Sequence, residues 1–110
     1  MKQVMKMKKI IIVEDDERLR EELKILLENN GYEARILRTF DHAADALIEM
    51  DADLVLLDIM IPGINGQQVL KQLRAKSDVP VIMVTSKNNE EDEVLSMSYG
   101  ADDYITNPYN

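Results

Sequence analysis

Three acidic side chains stand where apolar runs stop in this chain of 110 residues. Glu14 and Asp15 follow "IIIV", and Asp58 follows "LVLL" just before "IMIPGING" breaks into a loop with a Pro-Gly turn. A strand that reads as buried on both faces and ends on a carboxylate is suited to building a site. Three carboxylates brought together repel one another, so ionising all of them requires compensation. A hard divalent cation is the economical remedy. Mg2+ suits this role because two carboxylates, waters and a phosphate oxygen complete its octahedron. On this reading Asp58 is carried to the edge of a sheet to meet a metal and a phosphoryl group. The run Glu14-Asp15-Asp16-Glu17 taken alone is the acidic start of a helix, and Asp16 reads as its N-cap.

These acids can meet only if the fold brings their strands together, and the chain alternates in a way that does so. "KKIIIVE" (8–14) is a continuous β-branched run typical of a strand buried on both faces. "DERLREELKILLENNG" follows with Leu19, Leu23, Leu26 and Leu27 at helical spacing, acids in the first turn and Gly31 as the stop. "EARILR" (33–38) is a shorter, more polar edge strand, and "DHAADALIEM" places Phe40, Ala43, Ala44, Leu47 and Ile48 on one helical face. "DLVLLD" is predicted as strand, "GQQVLKQLRAK" as helix, "VPVIMVTS" as strand, "NEEDEVLSMSYG" as a weaker helix ending at Gly100, and "DDYIT" as the last strand. Five strands alternating with four helices through short turns predict a flavodoxin-like, doubly wound α/β fold with a parallel sheet.

In such a sheet the ligand site lies beyond the carboxyl ends of the strands, at the switch in strand order. Glu14, Asp15 and Asp16 occupy that edge after the first strand and Asp58 after the third. Thr85 and Ser86 end the fourth, and Thr106, Asn107 and Pro108 the fifth. The order 2-1-3-4-5 makes the first and third strands neighbours, so Glu14, Asp15 and Asp58 converge.

Composition narrows the function. The length allows a single domain with one hydrophobic core. With 31% charged residues and no window near 18 consecutive apolar residues, nothing is expected to span a membrane. The basic stretch "MKQVMKMKK" lacks the apolar segment of a secretory signal, and residues 1–7 read as an N-terminal extension. The chain has no Cys, which excludes disulfides, thiolate metal sites and Cys nucleophiles and makes the cytoplasm the natural compartment. Thirteen basic against 21 acidic residues give a net charge of −8, which disfavours direct binding to nucleic acid. A flavodoxin-type cofactor site needs a Gly- or hydroxyl-rich loop after the first strand, where "EDDERLR" is anionic. A dehalogenase-type phosphatase would want an acid two residues after its nucleophile, where Met60 stands. No P-loop or dinucleotide fingerprint is present. His42 reads as a solvated side chain at a helix start. Met60, Met83 and Met97 read as packing.

Over almost its whole length the chain resembles the receiver domain of bacterial two-component response regulators. "IIIVEDD", "DLVLLDIMIPGINGQQVLKQLR", "VPVIMVTS" and "GADDYITNPY" match that family's successive signatures in order and spacing. The resemblance implies that Asp58 is the phosphoacceptor and that Glu14, Asp15 and Asp58 hold Mg2+, with the backbone carbonyl of Met60 as a further ligand. It implies that Thr85 follows the phosphoryl group and that Tyr104 is the aromatic switch residue. The partner so implied is a sensor histidine kinase. The acidic "EEDEVLSMSYGADDYI" points to the subclass whose output is a winged-helix DNA-binding domain, absent from these residues. Such a domain would at most phosphorylate itself from small donors and dephosphorylate itself.

One position departs from the family. The pattern ends its fifth strand with Lys-Pro, where this chain has Asn107-Pro108. The resemblance implies a cis peptide bond there, aiming residue 107 at the site. Asn donates a neutral hydrogen bond but brings no charge, which favours an alternative reading as a phosphorylation-independent interaction module. The resemblance also implies a fifth helix after "TNPYN", so residues 8–110 read as a receiver truncated after its fifth strand. The sheet face left without that helix is expected to associate with a second copy, by dimerisation or swapping, or to be loosely held.

Overall fold

The computed structural model describes residues 7–85 and 90–106. A parallel sheet is built from β1 (Lys9–Val13), β2 (Glu33–Ile36), β3 (Leu54–Asp58), β6 (Val81–Thr85) and β7 (Asp103–Thr106). Their order is β2-β1-β3-β6-β7. This is the 2-1-3-4-5 arrangement once β4 (Met60–Ile61) and β5 (Ile64–Asn65), a small hairpin between β3 and the following helix, are set aside. Apart from the end residues Lys9, Asp58 and Thr85, the three central strands are apolar throughout because both faces are covered. Ile11, Val13, Val55, Leu57, Val81 and Met83 point to one side, and Ile10, Ile12, Leu56 and Val84 to the other.

The helices are α1 (Glu17–Asn29), α2 (Ala43–Met50), α3 (Gly66–Arg74) and α4 (Glu90–Ser98). Leu19, Leu23 and Leu27 seat α1 on the second face. Ala43, Ala44 and Leu47 of α2 and Val69, Leu70 and Leu73 of α3 cover the first. α4 lies beside α3 on that side, joined to it through Gln67 and Ser96. No helix among the described residues is long and apolar enough to cross a membrane.

Several expectations are corrected. Leu26 is 57% exposed and Ile48 also faces solvent, so the apolar stripes of α1 and α2 are narrower than their sequences imply. Phe40 precedes α2 and packs against the core from the loop, because the helix begins only after His42, whose φ of 55° is left-handed. Met83 is core, but Met60, at 54%, and Met97 are exposed. The hairpin was not expected. Its turn holds Pro62 and Gly63, with Gly63 at φ 79°, which is the Pro-then-Gly chemistry of a type II turn.

Candidate functional site

Strand register brings the acids together. Val13 pairs with Leu57 across β1 and β3, so Glu14 and Asp58 leave adjacent strands at the same level. Asp58 in turn pairs with Val84, which places Thr85 one residue further along the neighbouring strand, beside Thr106. Carboxylate oxygens of Glu14, Asp15 and Asp58 lie within 4.8 Å of one another. Glu14 is buried and Asp15 exposed.

The surrounding backbone orients two of the three. The amide of Asp16 donates to Glu14 Oε2 at 3.2 Å, and that of Met60 donates to Asp58 Oδ1 at 3.2 Å. Asp16 turns away from the cluster: its Oδ1 accepts from the amide of Leu19 at 3.1 Å and caps α1.

Charge is the dominant feature. Burial pushes the Glu14 carboxyl up to about 8, helped by its hydrogen bond to Asp58 and by the charge there. Burial also raises Asp58, with Asp15 adding to the effect and the hydrogen bonds from Glu14 and Met60 opposing it. Among the described residues, no Lys or Arg forms an ion pair with any of the three. Both carboxyls are therefore held above the ordinary carboxylate range, which favours the protonated form wherever no positive charge compensates. A cluster that favours a proton for want of positive charge, made only of carboxylate oxygens, fits a hard divalent cation such as Mg2+.

Thr85 is buried at the end of β6. Tyr104 is half-buried on β7, and its hydroxyl is raised by burial and then by Asp92 and Glu93, which places it near α4. Met60 contributes its amide to Asp58 while its side chain is exposed. Asn107, and with it the Asn107-Pro108 bond, lies outside the described residues.

Two contributors escaped the sequence reading. Gly66 opens α3 against the end of β3: its amide donates to Ile59 O at 2.8 Å, and a Cβ there would overlap the Asp58 carbonyl oxygen and stand 2.8 Å from its carbon. Only glycine permits so close a return of the chain. The second glycine of "GING", following a capping Asn65, was the available signal. Gln67, the next residue, is buried, and a glutamine near a helix start gives no sign of that.

Comparison with known proteins agrees with this architecture. Residues 10–110 match the family model of the response regulator receiver domain. The sensory transduction protein RegX3 of Mycobacterium tuberculosis is 47% identical over 104 residues, 94% of this chain and 46% of that protein. RegX3 of Mycolicibacterium smegmatis gives the same values. The chain thus spans about half the length of the curated relatives it matches. Among solved structures, the BeF3-activated N-terminal receiver domain of Klebsiella pneumoniae RstA superposes with a TM-score of 0.87 at 31% identity, covering 94% of this chain and 88% of that one. The N-terminal domain of the nisin resistance regulator NsrR gives 0.84 at 33% identity, covering 96% and 89%. With sequence and architecture in agreement, the chain belongs to the response regulator receiver domain family.

Proposed function

We propose that residues 8–110 act as a phosphoacceptor in which Asp58 receives a phosphoryl group while Glu14, Asp15 and Asp58 hold Mg2+. The convergence of these three carboxylates within 4.8 Å carries the reading. An Asp58 oxygen attacks the phosphorus of a phosphohistidine on a sensor kinase, or of a small donor such as acetyl phosphate. An O–P bond to Asp58 forms as the N–P bond of the phosphohistidine breaks and its bonding pair leaves with the imidazole, or, with acetyl phosphate, as its O–P bond breaks and acetate leaves. Bound Mg2+ supplies neutralisation of the charge on the transferring group. The Met60 amide keeps Asp58 oriented, and the Met60 carbonyl is assigned as a further metal ligand. Thr85, one residue beyond the level of Asp58 on the adjacent strand, donates its hydroxyl to a phosphoryl oxygen. Tyr104 on the next strand then turns inward toward Thr85, so that a local charge event biases a two-state surface.

The relatives are about twice as long as this chain, which leaves room for an output segment; a winged-helix DNA-binding domain is the output proposed. A cytoplasmic location is part of this reading. Incubation with acetyl phosphate and Mg2+ is expected to add one phosphoryl mass to the wild-type chain and none to Asp58→Ala or in chelator. A mass that persists in Asp58→Ala rejects the assignment.

The phosphorylation-independent alternative is favoured by one observation, Asn107 at the position where the family pattern has Lys. Three carboxylates and one divalent cation leave a net negative charge there. A charge-assisted bond is worth on the order of 1–3 kcal/mol where a neutral one is worth about half. Asn107→Lys is therefore expected to speed phosphorylation and tighten beryllofluoride binding. Equal rates and affinities in the two proteins would show that another group compensates.

A further inference from the structure

α4 is held differently from the other helices. Its apolar side chains Val94, Leu95 and Met97 are exposed, and Ser96, at 0% exposure, is its only buried residue. What seats it is a polar stripe on α3. Gln67, Lys71 and Arg74 recur at i, i+4 and i+7, so they share one face. The Gln67 amide nitrogen donates to Asp92 O and to Ser96 Oγ, both at 3.1 Å. The Lys71 ammonium lies 5.4 Å from the centre of the Tyr99 ring. The Arg74 guanidinium donates to Gly100 O at 2.8 Å and to Asp102 at 2.9 Å.

The two ends of this stripe face different parts of the molecule. Arg74 also donates to Val79 O at 2.6 Å, just before β6, so it sits at the amino ends of the strands. Gln67 sits at the carboxyl ends. Its own amide donates to the capping Asn65 at 2.8 Å, Asn65 pairs with Met60 in the hairpin, and Gly66 presses against the Asp58 carbonyl. Gln67 is 5% exposed, so its donors have no water to fall back on. Two directional bonds from one rigid amide fix both the rotation and the translation of α4, which non-directional apolar contact does not.

We infer that Gln67 is a positioning residue that ties α4 to the loop carrying Asp58, so that the placement of α4 and the occupancy of Asp58 are coupled. The inference rests on Asp58 being the phosphoacceptor. It follows that α4 pivots about its Arg74 end while its Gln67 end follows the site. Coupling is reciprocal: a change that frees α4 must alter the affinity of Asp58 for a phosphoryl mimic. A merely structural contact would not.

The test compares wild type, Gln67→Leu, Ser96→Ala and the double variant. Amide exchange is followed over residues 90–98, and Mg2+-dependent beryllofluoride affinity by fluorine NMR. Loss of a buried hydrogen bond should speed α4 exchange about tenfold in each single variant, with α1 unchanged. Beryllofluoride affinity should shift about fivefold in Gln67→Leu, which loses both bonds, and about threefold in Ser96→Ala, which keeps the bond to Asp92 O, and the double should match Gln67→Leu. Should Gln67→Leu fail to fold, Ser96→Ala alone carries the comparison. Affinities within about twofold of wild type in folded variants overturn the inference while leaving the phosphoacceptor reading intact. A wild-type domain that binds no beryllofluoride with Mg2+ defeats that reading and this inference with it.

Discussion

The two halves of the sheet are built to different standards. Around β1 and β3, Ile11, Ile12, Val13, Val55 and Leu57 are wholly buried, and the chain re-closes on Asp58 through the hairpin and Gly66. Around α4 and β7, a single serine is the buried residue of the helix, and Ile105 of the edge strand is exposed. Carboxylates that must meet within a few ångströms need elements whose side chains are locked by packing. Elements that must move are drawn from the loosely packed end of the stability range. The difference therefore separates a tightly packed frame around the carboxylate cluster from a less buried surface beside it.

The largest expected effect tests that separation directly. Leu57→Ala removes a fully buried side chain one residue before Asp58 and should cost about 2–5 kcal/mol. Val94→Ala, at a side chain 68% exposed on α4, should stay within about 0.5 kcal/mol. Denaturant unfolding of the two variants measures both. Comparable losses would mean that α4 is packed as tightly as the frame, and the contrast would collapse.

The frame was legible in the sequence and the surface was not, for a physical reason. "IIIV", "LVLL" and "VIMV" are apolar at every position because each strand is covered twice, and a short, unbroken β-branched run between turn residues suits little else. The convergence of Glu14, Asp15 and Asp58 followed from strand order alone. The β4–β5 hairpin was missed because two-residue strands are too short to show a period. Leu26 and Ile48 misled because an isolated exposed aliphatic costs little and leaves no mark in the pattern. Nothing in "GQQVLKQLRAK" marks Gln67 as buried, since burial of its polar side chain depends on a partner 29 positions away.

A second effect distinguishes the site from the frame that supports it. The folded Glu14 carboxyl, at about 8, binds its proton more tightly than the ordinary 4.5 of the unfolded chain. Its contribution to stability is therefore full below about pH 4.5 and is lost as pH rises through about 8, and the raised Asp58 acts in the same direction. In chelator, the wild-type melting temperature should fall from pH 5 to pH 8 more steeply than that of Glu14→Gln, which has no proton to lose. A divalent cation at these carboxylates would compete with the proton that burial favours on Glu14, so Mg2+ affinity should rise with pH up to about 8. Calorimetry in buffers of different ionisation heat should detect proton release on binding. Parallel melting curves for the two proteins would show that burial does not hold a proton on Glu14.

The smallest effect concerns Asp16, third in a run of acids whose first two members are placed in the site. Its side chain points along α1 instead, accepting from Leu19 at 3.1 Å, while its backbone amide serves Glu14. Asp16→Ala deletes the cap and keeps the amide. It should cost about 1 kcal/mol of stability, the usual worth of an N-cap. Mg2+ affinity and phosphorylation should be nearly unchanged, because the charge removed belongs to the helix. Asp15→Ala should do the reverse, leaving an exposed position stable while weakening Mg2+ binding severely. Equal losses of Mg2+ affinity in both variants would place Asp16 in the site and extend the chemical half of the molecule into the first turn of α1.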